Sequence, residues 1–497
     1  MVGVEKTDGS YGNTKVQKRR VKTGGLTSSN GGVTGSQLSN IRKKKRQLFN
    51  RINYGNTFTS VVLPLCGLIY LFKYSIPIIP SNNLTLYFSF LYFHATMLAF
   101  TSGYHKFFGH RSFKVSNKAL LYYFAIFGAS IGIGPIRWWA GLHRAHHHFA
   151  DDTEKDPYLI KRGFLWAQWG WLIKKPKITT FYLQFIDQEF PTVTNEAELL
   201  ENEGDYDIHS LLLWQQRYYM PLFILTSIII PTLITRFICH DTLINGMLYP
   251  GILRMFLCQL CLLTTESLCH SKNIQVTIPT QPFNDKNSSI NCNNPLFSLL
   301  TYGQGQDNFH HEFPHDYRSS SSIIAYDPTK WFIKCLEKLG LVYELCKTPD
   351  NLIIQLKIQQ QQHVLNRMRS QLNWGTPISK LPLITPKDFK RIIASSSNKD
   401  RIYIIISDII HDITPFMDQH PGGVALLKAS HGKDASKAFY GGVYGHLTAA
   451  INLLATMRIG VLDTGNTEDV WQRVVIEEGD VVNNDERTKA YQTAEAA

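Results

Sequence analysis

The residues of this chain best suited to do chemistry are its histidines. Of 18, seven fall in three tight clusters: His105 and His110 in HKFFGH, His143, His146 and His147 in HRAHH, and His310 and His311 in NFHH. An eighth, His270, closes an apolar segment. HRAHH sets imidazoles at i, i+3 and i+4, which share one face of an α-helix and can converge on a metal. His105 and His110 are five apart, about 140° around a continuous helix. They serve one centre only if the helix loosens near Gly109; otherwise they serve two neighbouring metals. Imidazole suits iron, zinc and copper, and eight imidazoles exceed the four ligands of a tetrahedral zinc site, so two metals fit better. His94, His209, His240 and His363 stand alone and read as structural or surface residues. His148 and His315 lie beside clusters and read as supports for them. A metal centre of this size suits the removal of hydrogen from an unactivated alkyl C–H bond, a step beyond any side chain acting as acid or base.

The elements that must position these residues are apolar runs at 58–79 (interrupted by Lys73), 84–100, 120–136, 220–235 and 247–265, the last carrying Arg254. Spanning a bilayer takes about 20 apolar residues. Four runs approach that length if Trp, Tyr, Lys and Arg near their ends reach the interface. They read as two helical hairpins, with the run at 120–136 lying along the interface or packed inside. Each histidine cluster abuts an apolar run, so all lie near one membrane face. Residues 1–51 carry 12 Lys/Arg against Glu5 and Asp8, which is most of the chain's net charge of +12. RKKKR at 42–46 precedes the first run and puts the N-terminus in the cytoplasm; an even number of spans returns the C-terminal half to the same side. The basic tail is therefore read as membrane-flanking and solvated, and nucleic acid is not an expected partner. The first 40 residues hold no apolar stretch of the kind a signal peptide needs. Eight cysteines scattered from 66 to 346 form no disulfide framework. Cys258 and Cys261 make a C-x-x-C inside an apolar run and read as buried thiols.

The motifs also resemble a known family. HKFFGHRSF, RWWAGLHRAHHHF followed by DTEKDPY, RGFLWAQWGWLIKK and GQGQDNFHHEFPHDYR are similar to the successive motifs of the integral-membrane acyl-CoA desaturases. TQPFND at 280–285 and YDPTKW at 326–331 resemble the fungal branch. The resemblance covers about residues 45–345. It implies a di-iron centre (two Fe ions), dioxygen as oxidant, fatty acyl-CoA as substrate and a cis double bond, usually Δ9, as product. Carried over by motif, it implies iron ligands at His105, His110, His143, His146, His147, His270, His310 and His311. It also places Lys174 and Lys175 near the phosphates of CoA, where cations answer an anionic head group.

Three positions depart from the family. The third box usually carries histidine where this chain has Asp307, which keeps the i, i+3, i+4 spacing with His310 and His311. Four residues before His270 the family usually has Asn, and here stands Glu266. Gly141 occupies a place where related sequences often carry Arg. A carboxylate can bind iron, and at membrane depth it is costly unless paired or metal-bound. Asp307 and Glu266 therefore join the metal-ligand candidates. The alternatives to a desaturase are a fatty-acyl hydroxylase-like oxygenase and a low-activity or regulatory desaturase paralogue.

RIYIIISDIIHDITPFMDQHPGG at 401–423 alternates β-branched residues and ends in His-Pro-Gly-Gly, similar to cytochrome b5 at its haem edge. That resemblance implies haem b with His420 and His446 as axial ligands; His411 and His431 fall outside the motif. Two histidine ligands leave no open iron position, so such a domain transfers electrons. Fused on a linker, it raises the donor's effective concentration near the oxidising centre. No nucleotide-binding glycine fingerprint is present, so an NADH-cytochrome b5 reductase would be a separate partner. The expected fold is mainly α: an integral membrane four-helix desaturase domain with a cytoplasmic histidine-rich cap, plus a small α+β cytochrome b5-like domain. The expected layout is a disordered basic tail (1–50), the membrane domain (51–345), a linker (346–377), the haem domain (378–465) and an acidic tail (466–497). The expected location is the endoplasmic reticulum membrane, multi-pass, both termini cytoplasmic, in contact with membrane lipid; a homo-oligomer is left open.

Overall fold

The computed structural model describes residues 52–174, 185, 203–271, 279–441 and 445–465. The expected basic tail, the acidic tail and Lys175 lie outside these residues. The chain forms two compact units, one running through Thr348 and the other from Pro349 onward, with Pro282–Asn284 grouped with the second.

The first unit is helical. Four of its helices are long and apolar enough to cross a membrane: α1 (Tyr54–Lys73), α2 (Asn83–Gly109), α6 (Tyr219–Phe237) and α7 (Leu243–Leu268). Between them in sequence come α3 (Lys118–Ala129), α4 (Ile136–Phe149) and α5 (Glu203–Arg217). The helix pairs α1–α2 and α6–α7 are the two expected hairpins. Their short connections meet on one side: Asn82 Nδ2 donates to the Cys239 carbonyl at 3.0 Å and Thr85 Oγ1 to Asp241 Oδ2 at 2.6 Å. The opposite ends of α2 and α7 carry His105 and His270.

The apolar run at 120–136 is packed inside, with Phe124, Ala125 and Ala129 fully buried. It is also split. α3 stops at Ala129 because Gly132 and Gly134 take φ of +80° and +114°, conformations open to glycine but strained for other residues. α4 then starts at Ile136, whose N–H donates to Gln215 Oε1. Beyond α7 the unit adds short pieces: β2 (Pro279–Thr280) paired with β3 (Asn291–Cys292), α8 (Pro295–Leu300), α9 (Asp307–Glu312) and α10 (Pro328–Lys338). A strand pair β1 (Lys114–Val115) with β4 (Val342–Tyr343) ties its end back behind α2. Cys258 and Cys261 are buried free thiols, as their apolar setting predicts.

The second unit opens with α11 (Asp350–Ser370), a 21-residue helix lying in the expected linker. A four-stranded sheet follows in the order β5 (Leu383–Ile384), β8 (Arg458–Leu462), β7 (Ile409–Asp412), β6 (Tyr403–Ile406). β5 runs parallel to β8 and the other pairs are antiparallel. Ser407 and Asp408 both have positive φ, as the two-residue turn between β6 and β7 requires. One face of the sheet buries Ile402, Ile404, Ile406 and Ile413 against Phe439 and Leu454.

Candidate metal centre and haem site

Eight histidines from four separate segments converge in the first unit. α4 carries His143, His146 and His147 on one face, as the i, i+3, i+4 spacing predicts. α9 carries His310 and His311 and is held from below: Phe309 N–H donates to Asn291 Oδ1 at 3.1 Å and Asn308 Nδ2 to the Ser289 carbonyl at 3.2 Å. His270 follows α7 directly.

His105 and His110 are brought together by a device the spacing alone did not specify. The last part of α2, Ala99–Gly109, is a π-helix. Its i→i+5 hydrogen bonds place residues five apart on one face. His110 N–H closes that pattern onto the His105 carbonyl at 3.1 Å, and the two rings lie 5.1 Å apart. The whole terminal stretch is widened rather than one point at Gly109. Lys106, fully buried between the two ligand candidates, pins it by donating to the carbonyls of Asp316 and Arg318 at 2.7 and 3.0 Å.

The nitrogens form two sets. His105, His110, His143 and His310 make one; His146, His270 and His311 make the other. In the first, Nε2 of His105 lies 2.8 Å from that of His310, and Nε2 of His110 lies 3.0 Å from that of His143. His147 Nε2 joins it, 3.2 Å from His143 and 3.0 Å from His310. In the second, His146 and His270 Nε2 are 3.2 Å apart. Asp307 Oδ2 lies 2.9 Å from His270 Nε2 and 3.5 Å from His311 Nε2. Glu266 sits between the sets, Oε1 3.5 Å from His143 Nδ1 and Oε2 3.7 Å from His146 Nε2.

Hydrogen bonding cannot satisfy such a cluster. A neutral imidazole has one donor and one acceptor nitrogen, so several Nε2 atoms in mutual contact leave lone pairs facing lone pairs. Protonation is opposed as well. Burial first, and neighbouring imidazoles second, hold His147, His310 and His311 well below the usual histidine range, and the same causes act on His110 and His143. Neutral, inward-facing nitrogens are what a metal takes.

The outer nitrogens support that reading. His146 Nδ1 lies 2.9 Å from Asp156 Oδ1. A carboxylate only accepts, so Nδ1 carries the proton and Nε2 offers its lone pair inward. His146 differs from the others: burial lowers its pKa, but Asp156 first, and Glu266 and Asp307 after it, bring the value up to about 9, so without a metal its Nε2 holds a proton that a bound metal would displace. His270 Nδ1 lies 2.8 Å from Ser288 Oγ, whose own proton goes to Asp151 Oδ1 at 2.7 Å, which fixes the same tautomer. His315 Nδ1 donates to the His110 carbonyl. Asp156, Ser288 and Asp151 were not singled out from the sequence. Asp156 lies within DTEKDPY, and a carboxylate ten residues after a histidine box is the signal that could have found it. Asp156→Asn should lower metal affinity about 10- to 100-fold, the usual effect of losing such a partner. Iron retained during chelator challenge measures it; unchanged retention would remove Asp156 from the supporting shell.

A narrow cavity opens beside the cluster. Its lining combines apolar Phe100, Ile133, Trp139, Trp171, Leu262 and Leu263 with the donors His105, His143, His310, Glu266 and Asp307. The Trp139 ring stacks on His143 at 4.8 Å, so apolar surface and metal-ligand candidates are in direct contact. Of the two lysines expected near CoA, Lys174 is half-buried with its ammonium over the Trp166 ring. Gly141 is buried within α4.

In the second unit, the imidazoles of His420 and His446 face each other with centroids 6.2 Å apart and planes 25° from parallel. A metal–imidazole bond of about 2 Å on each side, plus the ring radii, accounts for that separation. His446 Nδ1 donates to the Phe439 carbonyl at 2.9 Å, leaving Nε2 free. A Cβ on Gly422 would come within 2.8 Å of His420 Cε1, so glycine is required there. His431 is used elsewhere, accepting the Tyr403 N–H, and His411 is buried on β7.

Comparison with known proteins gives one family match in each unit. Residues 82–320 match the family model "Fatty acid desaturase", and residues 389–463 match "Cytochrome b5-like Heme/Steroid binding domain". The chain is 35% identical over 411 residues to "Acyl-CoA desaturase 1" of Saccharomyces cerevisiae, covering 83% of this chain and 74% of that protein. It is 36% identical over 394 residues to "Probable acyl-CoA desaturase" of Schizosaccharomyces pombe, covering 79% and 75%. Human "Stearoyl-CoA desaturase" is 29% identical over 283 residues, 56% of this chain and 72% of that one.

Proposed function

The chain belongs to the acyl-CoA desaturases, with a cytochrome b5 domain fused at its C-terminal end, and from that premise we propose that it introduces a cis double bond at Δ9 into saturated fatty acyl-CoA. The observation that carries this reading is the pair of nitrogen sets beside apolar cavity-lining residues. His105, His110, His143, His147 and His310 would hold one iron. His146, His270 and His311, with Asp307, would hold the other. Bound there, the irons supply the oxidising power that cleaving two unactivated C–H bonds demands.

The protein's own groups do the rest. Phe100, Ile133, Leu262 and Leu263 orient the alkyl chain and keep water from it. Asp156 and Ser288 hold His146 and His270 in the metal-binding tautomer. Lys174 and Lys175 would meet the CoA phosphates from outside. The overall balance is acyl-CoA, dioxygen, two electrons and two protons giving the unsaturated acyl-CoA and two waters. His420 and His446 would hold haem b, which would relay electrons one at a time from an NADH-cytochrome b5 reductase. We place the protein in the endoplasmic reticulum membrane with both termini cytoplasmic. Expression in a cell lacking its own desaturase, followed by fatty-acid profiling, tests the assignment. A Δ9 monounsaturated product is expected; a hydroxylated product would replace desaturase by oxygenase.

Asp307 and Glu266 favour a second reading, in which the second iron site is electronically altered. A carboxylate stabilises ferric over ferrous iron relative to imidazole. Glu266 places one oxygen beside the outer nitrogen of His143 and the other toward His146, so it adds negative charge between the sets. Asp307→His combined with Glu266→Asn should raise iron per haem and the yield of monounsaturated product. If the double variant instead loses activity that the natural protein has, the carboxylates are working ligands and the site is retuned. If neither protein holds iron, the regulatory reading takes their place.

A further inference from the structure

Three leucines on α8 face outward: Leu296 is 76% exposed, Leu299 56% and Leu300 38%, while Phe297 is buried beneath them. Ile323 and Ile324 stand 91% and 93% exposed on the loop after the third histidine box, and Trp331 on α10 is half exposed. Exposed large apolar side chains following one another on a single short helix, as on α8, mark a contact.

Their depth identifies the contact. α1 and α6 have 20 and 19 residues, about 30 Å of helix, which matches a hydrocarbon layer of about 30 Å. α2 has 27 residues, and even with its last 11 in the wider, shorter-pitched π form it is longer than the layer is thick, so its end, with His105, projects beyond. His94 lies 11 residues along α2 from Asn83, about 16 Å from that end and close to mid-bilayer. At this depth His94 Nδ1 meets the hydroxyl of Tyr302 at 2.8 Å, and Phe93 packs edge-on against the Tyr302 ring. Tyr302 lies two residues beyond the end of α8. On its other side His94 touches Phe90, which is 59% exposed on the outer face of α2. The apolar surface of α8 thus continues the apolar belt of the spans. Higher up, Thr329 bonds Thr101, 18 residues along α2, which puts neighbouring Trp331 at the level where interfacial tryptophans sit.

α8 is also built to do without water. Pro295 has no N–H to satisfy at its first position. Leu296 N–H donates to Asn294 Oδ1. The carbonyls of Phe297, Ser298 and Leu299 are taken by the N–H groups of Thr301, Gly303 and Tyr302. Tyr302 accepts a φ of +53° to close this end. Backbone exposed to hydrocarbon must be paired internally, and here the helix ends are.

We propose that α8 is a re-entrant, non-spanning part of the histidine-side cap, immersed in the bilayer with lipid hydrocarbon against its apolar face. This rests on the membrane reading of the four spans and not on the chemistry of the metal centre. The segment continues into Gln304 and Asp307, which line the reaction cavity.

The test uses full-length protein in lipid vesicles, with the exposed Cys66, Cys335 and Cys346 changed to serine. Nitroxides are attached at Leu296→Cys or Leu299→Cys, with Lys399→Cys, an exposed position in the second unit, as a water-exposed reference. Collision with lipid-soluble oxygen and with a water-soluble nickel chelate is read by electron paramagnetic resonance. Oxygen should dominate at 296 and 299 several-fold over its share at 399. If the nickel chelate reaches both positions as freely as 399, the surface lies in water and the proposal fails. If neither relaxant reaches them, protein rather than lipid covers the patch, and the proposal fails in favour of a second copy or another segment of the chain.

Discussion

Replacing His146 or His147 by alanine is expected to lower acyl-CoA desaturation by about 10²-fold or more, because losing a ligand disturbs a metal at least as much as losing its outer partner. The two residues test different sets. His146 Nε2 faces His270 in one set, and His147 Nε2 faces His143 and His310 in the other. Truncation at 146 also strands Asp156, whose carboxylate is lowered against its own burial mainly by His146. His146→Ala should therefore cost stability as well as iron, whereas His147→Ala should mainly cost iron. Both should leave the haem spectrum unchanged, since His420 and His446 lie in the other unit. Product analysis with iron per haem on purified protein decides the matter. Retained product in both variants would rule out the di-iron assignment.

The second large effect is expected at the haem. In the full chain, His420→Ala or His446→Ala should abolish the low-spin bis-imidazole spectrum and cut turnover driven by the reductase. Each ring is held independently: His420 by the Pro421-Gly422-Gly423 turn, with Gly423 N–H on the His420 carbonyl, and His446 by Phe439, through a hydrogen bond and a stacked ring at 4.3 Å. Losing one ring leaves an open iron position rather than a rearranged pair. A wild-type spectrum after His446→Ala would show that another residue is the second ligand. Chemically supplied electrons should restore part of the turnover in these variants but none in His146→Ala, which separates electron delivery from chemistry.

The elements are legible in local pattern alone. Apolar runs of about 20 residues and the i, i+3, i+4 repeat in HRAHH are local properties, and a helix expresses them wherever it packs. The β-branched alternation before HPGG is equally local, and it became β6 and β7. Tertiary structure decided what local pattern leaves open. Whether residues five apart can share a face depends on the hydrogen-bond register of α2, which is π over Ala99–Gly109, where Lys106 is tied to carbonyls about 210 residues downstream. The division of the histidines into two sets depends on distances between four segments, which no spacing encodes. The partners at Asp156 and Ser288 come from loops whose polar residues look like any other turn until folding buries them. The side of α8 that meets lipid depends on the depth at which Tyr302 meets His94. Periodicity fixes a face, but only packing fixes what that face touches.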